Sequence, residues 1–225
     1  MRVAVLIISS DEKERWILEK SIWKQYMNSH KEIDCFFLET DLSLPSKSVK
    51  VSDNLIKVGC EDGIMKGIFR KTILALQHLE NKYDFFIRTN LSTFWRFNLL
   101  LPFLHGVSEK DDFYGGWAWV DYISGFSIIL NKKTCKTLIQ EGLELYEQAG
   151  RDDRAIGHIL RRAVSDPCLT ALNDKCFYWE YEKSTIEDSI QTIKKDNRYI
   201  IRTLPHGDYT TQKDILNALL KEFKN

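Results

Sequence analysis

The chain has 225 residues with 32 basic and 32 acidic side chains, so its formal net charge is zero. That length suits one large domain with a substantial core and is short for two. Nucleic acids and anionic membranes attract basic surfaces, so the even charge balance predicts neither as a partner. No stretch is long and apolar enough to predict a membrane span.

The cysteines and the first residues predict a cytoplasmic protein. The apolar run after Met1 is brief, and Ser9 and Ser10 follow it without a small-residue cleavage site, so we interpret it as a buried strand and not as a signal peptide. The five cysteines form no C-x-x-C pair and no zinc-ligand spacing, which is typical of reduced thiols. They are Cys35, Cys60, Cys135, Cys168 and Cys176.

The first half of the chain alternates strand-like and helix-like segments. Val3 to Ile8 is a β-branched and aliphatic run, as in a strand covered on both faces. Ser9 and Glu12 have the spacing of a capping box, which predicts a helix over residues 11–28. Apolar patterning further predicts strands at 35–38, 54–58 and 85–87, a loop at 40–48, and helices at 65–79 and 94–104.

The second half contains shorter elements and shows no internal repeat and no linker. Strands are predicted at 125–130, 177–181 and 199–201, and helices at 134–149, 153–164 and 211–223. Strands that alternate with helices predict an α/β fold with a mixed, mostly parallel Rossmann-like sheet flanked by helices. We expect one domain over residues 1–225.

A polar cluster follows the strand predicted at 85–87. Arg88, Asn90 and Ser92 end an apolar run, and a new apolar segment begins at Phe94. In an open α/β sheet, ligands bind beyond the carboxyl ends of the strands, so this cluster is a candidate binding site. Asn90 could instead be a turn residue that only ends the strand.

The order and spacing of several motifs resemble the GT-A glycosyltransferases of the beta-galactosyltransferase and fringe type, with their relatives in large DNA viruses. Ile87 to Phe94 falls where that family has a Lys or Arg followed by three aspartates and a hydrophobic residue. The resemblance covers nearly the whole chain, through the opening strand and helix, the segment before the aspartates, a Ser-Gly strand and an acidic motif. In this sequence these are residues 5–10 with 22–23, 61–76, 123–131 and 152–157.

The resemblance implies an inverting glycosyltransferase. Such an enzyme would move a hexose from a nucleotide-diphosphate sugar, most simply a UDP-sugar, to a hydroxyl of a glycan acceptor. Residues 1–106 would form the nucleotide-sugar half and residues 107–225 the acceptor half. Asp153 aligns with the family's catalytic aspartate and is the expected base. The alternative is that Asp152 and Asp153 only stabilise the start of a helix.

The resemblance also implies which residues bind the donor. Arg88, Lys71, Arg202 and His206 are candidates to compensate the diphosphate charge, although each could be an ordinary surface group. The full set expected at the donor is Ser9, Ser10, Lys71, Arg88, Asn90, Ser92 and His206.

The matched positions of the family's D-x-D motif are Asn90 and Ser92, which are both neutral. In the family these aspartates hold Mn²⁺ or Mg²⁺ against the donor diphosphate, and hard cations prefer carboxylate oxygens. Either a metal is held mainly by the diphosphate, with Asn90, Ser92 or His206 as ligands, or cationic side chains replace it. We expect weak or absent metal binding in the free protein.

An aromatic, glycine-containing segment around Trp117, Trp119 and Tyr122 is the predicted sugar pocket, because flat rings pack against pyranose C–H groups. By resemblance, Ser124, Gly125 and Asp152 belong to the same acceptor side. The alternative is a core strand with both tryptophans on one face.

Other functions remain open. A sugar- or nucleotide-binding module that lacks catalysis would carry the same motifs. A dehydrogenase or methyltransferase is disfavoured, because no G-x-G-x-x-G follows the first strand.

Overall fold

A computed structural model describes residues 1–10, 13–63, 66–107, 111–145, 150–164, 169–179, 185–203 and 208–224. Within these ranges a mixed sheet of eight strands is flanked by helices, and a second sheet of three strands adjoins it. The α/β class and the mixed sheet flanked by helices that the sequence predicts are therefore confirmed, and the sheet is consistent with a Rossmann-like fold. In this described part, no helix is long and apolar enough to cross a membrane.

The strands follow in chain order as short, mostly buried segments. They are β1 (Val3–Ile8), β2 (Ile33–Thr40), β3 (Val49–Ser52), β4 (Leu55–Val58), β5 (Phe85–Asn90), β6 (Thr93–Trp95), β7 (Tyr114–Gly116), β8 (Ser127–Asn131), β9 (Leu169–Ala171), β10 (Cys176–Tyr178) and β11 (Ile200–Arg202). The helices between and after them are α1 (Glu14–Tyr26), α2 (Gly67–Leu79), α3 (Phe97–His105), α4 (Lys132–Glu144), α5 (Asp152–Ala163), α6 (Ile186–Lys195) and α7 (Tyr209–Phe223).

The large sheet has the order β3-β4-β2-β1-β5-β8-β7-β9, and the small sheet has the order β10-β11-β6. Strands β4, β2, β1 and β5 are parallel neighbours, whereas β3 and β8 run against the strands beside them. Such a parallel centre has to be covered on both faces. The near-continuous apolar sequence of β1 reflects that burial.

Alternate residues of β1 belong to different cores. Val3, Val5 and Ile7 pack in one apolar cluster with residues of α1, α3, α6 and α7. Ala4 and Leu6 pack in the other, with residues of α2, α4 and α5. The two-residue period of a strand thus assigns each helix layer its own face of the sheet.

The structure corrects the predicted start of the first helix. Helix α1 begins at Glu14, and its N-cap residue Lys13 makes no side-chain cap bond. Ser9 is not a capping residue, because its hydroxyl donates to the carboxylate of Glu39.

Other element predictions also differ from the structure. Phe94 and Trp95 belong to β6, not to a helix, because they pair with Ile201 and Ile200 of β11 more than 100 residues later. This long-range partner outweighs local propensity. Helix α6 and the strands β3 and β9 were not predicted. Parts of the predicted segments 11–28, 65–79, 134–149 and 177–181 lie outside the described residues.

Candidate functional site

The carboxyl ends of β1 and β5 meet at one edge of the large sheet. Ile8 is the register partner of Asn90, so Ser9 and the residues after Asn90 leave the sheet side by side. In the sheet, β2 and β4 lie on one side of β1, and the later strand β5 lies on its other side. The direction in which successive strands are added therefore reverses between β1 and β5, and α/β sheets bind ligands beside such a switch point. The polar cluster identified in the sequence therefore lies at the edge where a ligand is expected.

The serines after β1 lie at this edge. Ser9 is buried, and its hydroxyl donates to Glu39 Oε1 over 2.8 Å. Lys20 Nζ binds the same oxygen at 2.5 Å. Ser9 is thus hydrogen-bonded to Glu39 near the end of β2, and its hydroxyl oxygen can still accept a hydrogen bond. Ser10 is half-buried beside it.

The turn that follows β5 is held by long-range hydrogen bonds. Trp23 Nε1 donates to the carbonyl of Leu91 over 2.9 Å. The Thr203 amide and hydroxyl donate to the carbonyl of Ser92 over 3.0 and 2.9 Å. Trp95 Nε1 donates to Thr89 Oγ1 over 3.0 Å. Helix α1 and the segment after β11 therefore fix residues 90–92 in one conformation.

Arg88 is the buried centre of the cluster, with only 4% of its surface exposed. Its guanidinium donates to the Gly125 carbonyl and to Asn90 Oδ1 over 2.9 Å, and it forms an ion pair with the carboxylate of Asp152. A Cβ on Gly125 would lie 2.5 Å from Arg88 Nη1, so only glycine leaves room for this contact. The suggestion that Arg88 is an ordinary surface charge is wrong.

The two acidic residues that begin α5 have different environments. Asp152 is buried against Arg88; burial raises its pKa, and the Arg88 charge opposes that rise. Asp153 is half-buried, and its carboxylate accepts from the amides of Arg154 at 2.9 Å and Gly125 at 3.5 Å. The N-cap residue is Arg151, so neither aspartate caps the helix. Asp153 thus lies at the Gly125 loop that also contacts Arg88.

Arg202 reaches the turn from β11. Its Nη1 donates to Ser92 Oγ over 2.6 Å and lies 3.3 Å from Thr93 Oγ1, and its guanidinium lies 5.2 Å from the Phe126 ring centroid. Burial lowers the pKa of Arg202, and the nearby Arg88 charge lowers it further. An arginine starts from so high a pKa that it stays cationic at neutral pH.

These contacts do not fit a divalent metal at the positions of the D-x-D motif. Asn90 Oδ1 accepts from Arg88, and Ser92 Oγ accepts from Arg202, so both oxygens already face a cation. A metal ion there would lie beside two guanidinium groups. No group of three His, Cys, Asp or Glu side chains within the described ranges could hold a metal. His206 lies outside the described residues.

Lys71 lies apart from the arginines. It is 1% exposed, and its ammonium pairs with Asp62 Oδ1 at 3.1 Å. Asp62 follows β4, which lies three strand positions from β5, or about 14 Å across the sheet. The predicted donor residues therefore divide into a group at β1 and β5 and a separate Lys71–Asp62 pair.

The aromatic segment is a hairpin after β7, closed by pairing of Ala118 with Ile123. Trp117 packs on Phe126 and Tyr178, whereas Trp119 is 50% exposed. The alternative of a core strand with both tryptophans on one face is therefore wrong. Ser124 accepts backbone and side-chain hydrogen bonds from Ser127 through its carbonyl and shapes the loop before Gly125.

A groove of about 710 Å³ lies beside this hairpin. Tyr122 lies in its wall, and the Arg154 guanidinium lies 5.7 Å from the centroid of the Tyr122 ring. The other lining residues are mainly basic side chains of α5 together with one aspartate, namely Asp121, His158, Arg161 and Arg162. Arg154 follows Asp153 in the sequence, but Asp153 is not among the residues that line the groove.

Sequence reasoning missed a buried polar chain behind the site. Gln212 Nε2 bridges Glu19 Oε1 at 3.0 Å and Thr203 Oγ1 at 2.7 Å, and Thr203 holds Ser92. Glu19 is 2% exposed, and burial raises its pKa against the effect of Arg15. The available signal was a carboxylate on the apolar face of α1, one turn before Trp23.

Comparison of the sequence with protein-family models gives no match, and comparison with curated proteins gives none either.

Proposed function

We propose that this protein is a glycosyltransferase of the GT-A type that transfers a hexose from a nucleotide-diphosphate sugar, most simply a UDP-sugar, to a hydroxyl of a glycan acceptor. The observation that carries the proposal is the contact between two motifs. Gly125 donates its amide toward Asp153 and its carbonyl accepts from Arg88, which also holds Asn90. The candidate base and the candidate donor residues therefore share one loop.

The sheet supports the same proposal. The parallel strands β4, β2, β1 and β5 have a switch point between β1 and β5, and Rossmann-like folds bind nucleotides beside such a point. Ser9 and Asn90 leave the sheet at that point. Fold alone does not define chemistry, so the weight of the proposal rests on the residues at this edge.

Asp153 has the environment that a general base requires. Two amides hold its carboxylate in position, and the side chain is half-buried, so part of it is accessible to an acceptor. In the proposed reaction, Asp153 accepts the proton of the acceptor hydroxyl while that oxygen attacks the anomeric carbon. The bond between that carbon and the diphosphate oxygen breaks, and the nucleoside diphosphate leaves with the electron pair. A single displacement of this kind inverts the anomeric configuration.

The groove suggests where the acceptor lies. Its lining combines the Tyr122 ring with polar and charged side chains of α5, a combination suited to sugar C–H groups and hydroxyls. Trp119, which is half exposed, extends the same hairpin. We therefore assign acceptor contacts to Tyr122 and Trp119, and a packing role to Trp117.

The test is turnover of UDP-sugars by the wild type and by Asp153→Asn. Hydrolysis or transfer should fall by roughly 10²- to 10⁴-fold in the variant, which is the usual contribution of a general base, while UDP binding stays within about twofold. Asp214→Asn, an exposed change on α7, is the matched control and should keep wild-type turnover. Equal turnover in wild type and Asp153→Asn would exclude Asp153 as the base.

The neutral residues at the D-x-D positions favour one second candidate, a sugar-nucleotide-binding module without catalysis. Asn90 and Ser92 cannot supply the carboxylates of that motif. The same experiment separates the two functions. A UDP-sugar that binds to the wild type without hydrolysis or transfer, across a panel of donors and acceptors, would establish the module.

A further inference from the structure

The residues in the D-x-D positions present hydrogen-bond donors, not acceptors, to a ligand. Asn90 Oδ1 accepts from Arg88, so its amide group turns its two N–H bonds away from that arginine. Ser92 Oγ accepts from Arg202, so its O–H is left to donate elsewhere. A carboxylate pair attracts a cation, whereas this arrangement has the polarity of an anion site.

The charge around the turn supports the same polarity. Arg88 is neutralised by Asp152, but Arg202 has no carboxylate within ion-pair distance among the described residues. Its described hydrogen-bond acceptors are neutral hydroxyl groups, including those of Ser92 and Thr93. A largely buried charge is costly unless a counter-ion pairs with it. An anionic ligand at Ser92 would provide that counter-ion.

Both arginines also keep unused donors. Nε of Arg88 and Nε of Arg202 are buried and have no acceptor among the described residues. Arginine is suited to phosphate because its planar group donates two parallel hydrogen bonds. The 90–92 turn is itself fixed by Trp23 and Thr203, so the donors are already positioned before a ligand binds.

We propose that Arg88 and Arg202, acting with Asn90 Nδ2 and the Ser92 hydroxyl, bind the diphosphate of the donor directly and without a divalent metal. The identity of the anion as a donor diphosphate rests on the proposed function. The guanidinium of Arg202 takes the place of the metal as the group that compensates the negative charge of the departing nucleoside diphosphate. Arg88 holds Asn90 in the orientation that donates.

The first experiment titrates inorganic pyrophosphate and UDP into the protein by calorimetry, once with EDTA and once with Mn²⁺. Both should bind in EDTA, and Mn²⁺ should change the affinity by less than about threefold. Arg202→Gln should weaken pyrophosphate binding by roughly 10- to 100-fold, because it removes charge-assisted hydrogen bonds. The matched control is Arg2→Gln, which removes the same charge from an exposed arginine at the opposite end of β1 and should leave binding unchanged.

A second pair of variants keeps the proposal testable if Arg202→Gln does not fold. Asn90→Asp and Ser92→Asp preserve the acceptors of Arg88 and Arg202 and add negative charge to the turn. Each should weaken pyrophosphate binding at least tenfold in EDTA, and Mn²⁺ should not restore it. In a metal site the same changes would strengthen Mn²⁺-dependent binding, which would overturn the proposal.

The outcomes also separate this proposal from the proposed function. Pyrophosphate binding that requires Mn²⁺, or that is absent in both conditions, contradicts the metal-independent site. UDP-sugar turnover that depends on Mn²⁺ would support the proposed glycosyltransferase and contradict only the metal-independent arginine site. Binding in EDTA without any turnover of UDP-sugars would support the anion site and contradict the enzyme.

Discussion

Arg202 Nη1 donates to Ser92 Oγ over 2.6 Å, although the two residues lie 110 positions apart in the chain. This bond joins β11 of the small sheet to the turn that follows β5 of the large sheet. The amide of Thr203 reinforces it by donating to the Ser92 carbonyl. The candidate donor site thus depends on the end of the chain returning to its first half.

We expect Gly125→Ala to damage both stability and UDP binding. The new Cβ would lie 2.5 Å from Arg88 Nη1, so the guanidinium would have to move from its contacts. Overpacking of this kind costs about 1–3 kcal/mol, measurable by urea denaturation. Gly150→Ala is the matched control, because among the described residues no atom beyond its chain neighbours lies within 4 Å of the added Cβ, and it should change stability by less than about 0.5 kcal/mol. Equal effects in the two variants would contradict the role of Gly125.

Trp23→Phe should loosen the 90–92 turn. The phenylalanine keeps an aromatic ring in the core but leaves the carbonyl of Leu91 without its donor. A buried acceptor left unpaired costs about 1–3 kcal/mol of unfolding free energy. We also expect weaker UDP binding by calorimetry, because the turn presents Asn90 and Ser92. Trp16→Phe, in a half-buried position on the same helix, should affect neither quantity.

The two tryptophans of the hairpin should separate into a packing residue and a contact residue. Trp117→Ala removes a ring that packs on Phe126 and Tyr178 and should cost about 2–4 kcal/mol. Trp119→Ala changes a side chain that is 50% exposed and should cost less than about 0.5 kcal/mol. Steady-state kinetics of Trp119→Ala should show a higher KM for the acceptor and an unchanged KM for the donor. An unchanged acceptor KM would remove Trp119 from the acceptor site.

Glu19 should make stability depend on pH in a defined direction. Burial raises its pKa in the folded state, so the folded protein holds this proton more tightly than the unfolded chain. The contribution of protonated Glu19 to the free energy of unfolding is fully present below the pKa of the unfolded state. It is lost as the pH rises through the pKa of the folded state, and the free energy falls by at most about 1.4 kcal/mol per pH unit. Glu19→Gln keeps the acceptor for Arg15 and Gln212 but does not titrate.

Chemical denaturation at pH 4 and pH 7 checks this expectation. The free energy of unfolding of Glu19→Gln minus that of the wild type should be larger at pH 7 than at pH 4. Because Gln212 links Glu19 to Thr203, the two proteins should also be compared for UDP binding at pH 7. A stability difference that does not change with pH would show that Glu19 titrates alike in both states.

Much of the fold could be predicted from the sequence, because local patterns encode it. The apolar run of β1 and the helical period of α2 follow from burial on two faces and on one face, respectively. The change from Ile87 to polar residues over the last part of β5, which ends at Asn90, is also a local signal, and it predicts a binding site at a sheet edge. Segments whose partners are remote were predicted less well, as with β6, whose strand pairing comes from β11.

The sequence by itself determined the α/β class, the buried strands and the presence of Arg88, Asn90, Ser92 and Asp153 in motifs of defined order. Only the tertiary structure decided what these side chains contact. Asp152 neutralises Arg88, and Arg202 approaches Ser92, through bonds that join elements far apart in the chain. Local propensity holds no information about such pairs, since the energy of a buried charge depends on the groups around it. In the folded protein, the neutral residues Asn90 and Ser92 therefore lie against Arg88 and Arg202, which is the polarity that the proposed anion site requires.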